Sequence, residues 1–132
     1  IFSIYLGLDY THKDIEANYV TKIFCLFENY NLKKKKNSDA EGSYDFNQRD
    51  SDPLPVYSTD NHGTRCAGQI AAVPNDVCGV GIAFGAQITG IRLISDNPTD
   101  ADEAAALNYK MQLNDIYSNS WGPNDNGQTL EG

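Results

Sequence analysis

Residues 58–73 read STDNHGTRCAGQIAAV. A polar turn ending in Asp60 and Asn61 leads into His62, then Gly63 and Thr64, and then small residues that recur at helical spacing through an alanine-rich run. The spacing predicts a helix that begins near His62. His62 is one of two histidines in the chain, and Gly63 lets another segment come close to it. A single histidine is more often a capping or core residue than a catalytic one, so the surrounding string has to decide.

Downstream the pattern alternates. CGVGIA (78–83) is a short apolar strand or turn, and AQITGIRLIS (86–95) is a β-branched run of strand length. TDADEAAALNYKMQ (99–112) opens with a Thr99/Asp100 cap and an acidic first turn, then runs helical. NDIYSNSWGP (114–123) is a strand that stops at Gly122-Pro123. Helix, strand, helix, strand is the rhythm of an α/β fold with a parallel sheet and crossover helices. In such sheets the chemistry lies beyond the carboxyl ends of the strands.

Upstream the order weakens. GLDYTHKDIEANY (7–19) reads as a strand-to-loop segment with a short helical turn, and His12 as a loop residue. Residues 37–61 read as polar loop containing SDPLP. Between them lies VTKIFCLFENYNLKKKK (20–36), which is foreign in composition to the rest.

The bulk numbers bound the class. At 132 residues the chain is about one small domain. A net charge of −8 argues against nucleic acid, whose phosphates call for a basic stripe, and suits a basic ligand. No apolar run reaches the ~18–20 residues of a membrane span. Cys25, Cys66 and Cys78 are an odd set at no metal-ligand spacing, which fits a truncated disulfide set, a free thiol or both. The chain opens on Ile1 and closes on QTLEG, and is expected to be a fragment of a longer protein. The glycine string GVGIAFG (79–85) would suit a nucleotide-binding domain, but no acid follows at the spacing that motif needs.

The strings HGTRCAG (62–68), CGVGIAFGAQITGIRLIS (78–95), DEAAALNY (102–109) and NDIYSNSWGPNDNG (114–127) together resemble the kexin/furin branch of the subtilisin-like serine proteases. The resemblance covers residues 37–132 well and 7–19 moderately. It implies a subtilisin-like three-layer α/β fold with a parallel central sheet, present here only in part. It also implies calcium-dependent endoproteolysis after paired basic residues, of Lys-Arg type, on proprotein substrates. Secretory-pathway residence, in the late Golgi or at the cell surface, would follow, with any membrane anchor outside this chain.

Carried over by position, His62 is expected to be the general base of a Ser-His-Asp triad. Ser120, Trp121, Gly122 and Pro123 match the segment that walls the first specificity pocket, and Asp125 matches an acid at its base. Asp60 stands where kexins place an acid for the basic residue that precedes the cleaved one. Glu103 and Glu131 match acids near the fourth subsite. Several fixed carboxylates are what a dibasic peptide needs, because each cation loses water on binding and must be paired. Singly, each of these acids would be read as a solvated surface charge. Asp14 and the loop Val73 to Val77, with Asn75 or Asp76, match the halves of a calcium site built from hard oxygens. Cys66, one helical turn after His62, matches an unpaired thiol, and is read as a small buried residue. The partner of Cys78 would lie beyond residue 132.

The pattern breaks in two places. Tyr5 and Leu6 stand where the branch has two aspartates, one of which orients the imidazole. The family's serine and oxyanion asparagine lie past residue 132, so the isolated chain is expected to be inactive. A pseudoprotease that binds basic peptides in an acidic cleft is the alternative. Residues 20–36 interrupt the family's spacing and are read as a translated intron, with residues 1–6 open to the same reading. The alternative is a genuine basic surface insertion. On either reading Phe24, Cys25 and Phe27 are not expected in the core.

Overall fold

Ile88–Arg92 is buried from end to end. A strand buried on both faces has to run inside a sheet with cover on each side. In the computed structural model this is strand β3 of the order β1 (Phe2–Ile4), β2 (Tyr44–Asp45), helix α1 (His62–Ala71), β3 (Ile88–Arg92), helix α2 (Asp100–Leu107) and β4 (Ile116–Ser118). The structure describes residues 7–19, 41–77, 79–95 and 97–122, together with the backbone of 2–4. The four strands form one sheet in the order β2-β3-β1-β4, and every pairing is parallel. Phe2 pairs with Ile88 on one side and Ile116 on the other, so residues 2–4 hold a central strand position.

The α/β reading therefore holds, with differences of detail. α1 begins at His62 as its small-residue spacing predicts. Gly63, Ala67 and Ala71 form its buried face, at a four-residue interval that keeps them on one side. α2 has a full capping box: the Thr99 side chain accepts from the Asp102 amide while the Asp102 carboxylate accepts from Thr99. It ends at Leu107, earlier than its pattern suggests, and Lys110 at φ 51° takes the chain out of helical geometry. The loop expected over 37–61 contains β2, a strand too short to show alternation. CGVGIA forms no strand among its described residues; residues 82–85 are a turn.

Two apolar clusters lie on the sheet. Leu8, Ile15, Ala67, Ala71 and Ile88 form one, between α1 and the segment after β1. Phe46, Ile91, Leu93 and Ala106 form the other, under α2, with Tyr44, Tyr109, Tyr117 and Trp121 packed against it. The chain at Gly81 straps the end of α1: the amides of Gly81, Ile82 and Ala83 donate to the carbonyls of Ala72, Gln69 and Ile70. Those are carbonyls a helix end leaves unsatisfied. A Cβ at Gly81 would fall 2.5 Å from the Ala71 and Ala72 nitrogens, so only glycine permits this approach.

Residues 20–36, read above as insert or intron, lie outside the described residues, as do Tyr5, Leu6 and Cys78.

Candidate active site

The site is organised by a charge that the strands bury. Asp45 ends β2, Arg92 ends β3, and the two are partners in register. Arg92 donates from Nη1 to Asp45 Oδ2 at 2.8 Å and from Nη2 to Asp60 Oδ2 at 3.2 Å. The Arg92 and Asp45 side chains are 2% and 0% exposed. Asp45 is saturated: its Oδ1 accepts from the amides of Asn47 and Gln48 and from the Asn47 side chain. Burial pulls the Arg92 pKa down, but the hydrogen bonds and charges of Asp45 and Asp60 outweigh it and hold it above its ordinary value. The ion pair pins Asp60, and with it the start of α1, over the carboxyl ends of β2 and β3. That is the edge where parallel sheets place their sites.

His62 is the first residue of α1 and is exposed. Its Nε2 lies 3.8 Å from Cys66 Sγ, one turn along. Cys66 is only partly buried and unpaired, more open than the small buried residue its pattern suggests. An open groove of about 600 Å3 runs beside this turn, lined among others by Asp9, His12, Tyr57, Asp60, Thr64 and Arg65. The Tyr57 ring lies 6.0 Å from the Arg92 guanidinium carbon. An exposed imidazole next to a groove can take a proton from a hydroxyl brought to it and return that proton.

Ser120, Trp121 and Gly122 follow β4 at the same edge of the sheet. Trp121 packs against the second cluster, while Ser120 and Gly122 are exposed. The Trp121 indole N–H is buried with no partner among the described residues. Glu103 lies in the acidic first turn of α2. Pro123, Asp125 and Glu131 lie outside the described residues.

Of the residues matched to a calcium site, Asp14, Val73 and Asn75 come together, while Asp76 does not and Val77 offers its amide rather than an oxygen. The Asn75 side-chain amide donates to both Asp14 Oδ1 and the Val73 carbonyl, and Asn75 Oδ1 accepts from the Val77 amide at 2.9 Å. The Val73 amide in turn donates to the Asp14 carbonyl. One carboxylate oxygen and one carbonyl thus converge on a single donor, and turning the Asn75 amide about adds a third oxygen at the cost of the bond from the Val77 amide. That donor set suits a hard cation such as calcium. Asp76 points elsewhere, 3.7 Å from Lys13 Nζ, so Asn75 is the residue inside the set. Among the described residues no group of three or more His, Cys, Asp and Glu side chains could hold a metal; this one would rely on amide and backbone oxygens.

Sequence reasoning missed Arg92, Asp45 and Ser95. The available signal was an arginine inside the otherwise apolar run ITGIRLI, which a buried strand tolerates only if it is paired. Among the described residues no helix is long and apolar enough to cross a membrane.

The subtilase family model matches residues 6–132. A dibasic-processing endoprotease of Yarrowia lipolytica is 50% identical over 124 residues, covering 94% of this chain and 11% of that protein. A kexin of Candida albicans is 56% identical over 96 residues, covering 73% of this chain and 10% of that protein. Human proprotein convertase subtilisin/kexin type 7 is 45% identical over 130 residues, covering 96% and 14%. The resemblance to the kexin branch is thus borne out, and the chain spans between a tenth and a seventh of these relatives. A serine protease of Aeromonas sobria, solved with its chaperone, superposes with a TM-score of 0.68 at 27% identity, over 92% of this chain and 18% of that one.

Proposed function

The chain belongs to the subtilase family, and from that premise we propose that it is part of the catalytic domain of a serine endoprotease that processes proproteins after paired basic residues. The observation that carries this reading is Asp60. It is a carboxylate fixed by Arg92 two residues before His62, on the lip of an open groove. A fixed acid beside an exposed histidine is what cleavage next to a basic side chain requires.

In this mechanism His62 accepts the proton of a serine hydroxyl as it attacks the peptide carbonyl, then returns it to the leaving amine. In the family that serine lies past the position matched by residue 132. Asp60 pairs the penultimate basic side chain, and the Ser120–Gly122 segment runs along the substrate. Asp14, Val73 and Asn75 would hold a calcium ion, which supplies structural linkage between the turn at 12–16 and the loop after α1. The parent works in the secretory pathway, in the late Golgi or at the surface.

The test is cleavage of a fluorogenic Lys-Arg peptide by the full-length protein and by His62→Ala. Cleavage that His62→Ala abolishes supports the reading. Binding of the peptide without cleavage by the full-length protein supports a pseudoprotease, for which Tyr5 and Leu6 in place of the family's aspartates are the motivation.

A further inference from the structure

We infer that Arg92 and Ser95 are positioning residues that set the strength of the Asp60 subsite, an inference that rests on the reading of Asp60 as the acid for the penultimate basic residue. Both donate to the same oxygen of Asp60: Arg92 Nη2 at 3.2 Å and Ser95 Oγ at 2.8 Å, each to Oδ2. Among the described residues nothing is bonded to Oδ1. Two fixed donors on one oxygen hold the carboxylate plane still and leave the other oxygen for an incoming cation.

The charge balance makes this an acceptor rather than a spent ion pair. Arg92 carries one positive charge, and Asp45 and Asp60 carry one negative charge each. Asp45 is fully buried and accepts four hydrogen bonds, one from the guanidinium and three from Asn47 and Gln48, so the uncompensated negative charge resides at Asp60, whose side chain is 15% exposed. Tyr57, itself half exposed, lies near the guanidinium on the groove side. A substrate cation therefore meets one carboxylate oxygen, preset in direction, at the end of a buried lever. Preset acceptors bind more tightly because less rotamer freedom is lost on binding.

Two peptides that differ only before the cleaved arginine, one with lysine and one with norleucine, separate charge recognition from everything else. Their kcat/KM ratio is measured for full-length wild type, Ser95→Ala and Arg92→Lys. A partly misfolded preparation lowers both rates together and leaves the ratio unchanged, whereas a displaced Asp60 moves the ratio. The expected result is a lysine preference in wild type that falls about fivefold to tenfold in Ser95→Ala, through KM for the lysine peptide, and falls further in Arg92→Lys. Ser95→Ala leaves the buried Arg92–Asp45 pair intact, so it decides the matter if Arg92→Lys does not fold. A wild-type ratio retained by Ser95→Ala overturns the inference while leaving Asp60 as the subsite acid. A wild type that cleaves both peptides equally removes that role from Asp60 itself, and the inference falls with it.

Discussion

The Asp9 backbone amide donates to Thr64 Oγ1 at 2.9 Å, across 55 residues of chain. It joins the segment that follows β1 to the first turn of α1, two residues after His62. Thr64 thus holds the strand end and the histidine at a fixed separation. Thr64→Val keeps the shape, removes the acceptor and strands a partly buried amide. The expected loss is about 1–2 kcal/mol, read as a lower urea midpoint at unchanged m, with Thr64→Ser close to wild type. A Thr64→Val midpoint equal to wild type would show that water replaces the hydroxyl without cost.

Two glycines of the same region predict opposite signs. Gly81 lies against the α1 backbone, and an added methyl has nowhere to go. Gly81→Ala is expected to cost about 3 kcal/mol, the upper end for overpacking, because backbone rather than a flexible side chain must move. Gly68 sits in the middle of α1 with nothing within 4 Å of its would-be Cβ. Gly68→Ala is expected to stabilise by about 0.5–1 kcal/mol through helix propensity. Calorimetric midpoints of the two variants against wild type decide both.

How far the molecule can be read from its residues follows from where its information lies. α1 was legible because small residues at four-residue spacing are a local pattern, and so was β3, whose apolar run needs no partner to declare itself. The Thr99 cap was visible for the same reason. β2 was not, because two residues carry no periodicity and Tyr44–Asp45 becomes a strand only through β3. Asp60 stood out as a position, while the contacts that hold it did not: Asp45 lies 47 residues from Arg92 in sequence, and Asp60 lies 32. Only the fold brings them to one edge.

Asp45→Asn tests that support from its buried end. The change keeps the size and one acceptor oxygen but leaves the Arg92 charge without its saturated partner. Removing one member of a buried pair costs about 3–5 kcal/mol. Thermal unfolding of Asp45→Asn should fall accordingly, while Arg49→Ala, which breaks the more exposed pair with Asp102, should change stability far less, because solvent screens that pair. Equal effects of the two would place the Asp45–Arg92 pair among ordinary surface ion pairs.

Tyrosine titration gives a pH prediction with a definite sign. Burial, then the Asp52 charge and hydrogen bond, push the Tyr10 pKa up to about 12, and burial raises Tyr19, stacked on it at 4.5 Å, further still. The folded chain therefore holds these protons more tightly than the unfolded chain, whose tyrosines titrate near 10. Stability from this source is complete below about pH 10 and declines as pH rises toward 12. Phenolate absorbance should show Tyr10 and Tyr19, together with Tyr109, which burial also raises, lagging the ordinary tyrosine range, and the titration of the stacked pair should coincide with loss of the native signal. All eight tyrosines titrating together near 10 in a still-folded protein would contradict the stacked, desolvated pair.

The calcium reading predicts a shift independent of catalysis. Asp14 Oδ1 and the Val73 carbonyl already face one point, so a cation there joins the turn at 12–16 to the end of α1 once the Asn75 amide turns and gives up its bond from Val77. A ligand that binds only the folded state adds about 2.7 kcal/mol at a hundred times its Kd. Calcium should therefore raise the melting temperature of the full-length protein, and magnesium should do so much less, since it asks for a smaller and more regular oxygen shell. Asp14→Ala and Asn75→Ala should each remove most of that rise, whereas Asp76→Ala, whose carboxylate faces Lys13 instead, should keep it. The pattern across the three variants matters more than the size of any shift. Loss confined to Asp76→Ala would move the site to the other residue of the loop, and a rise common to all three would place calcium elsewhere in the protein.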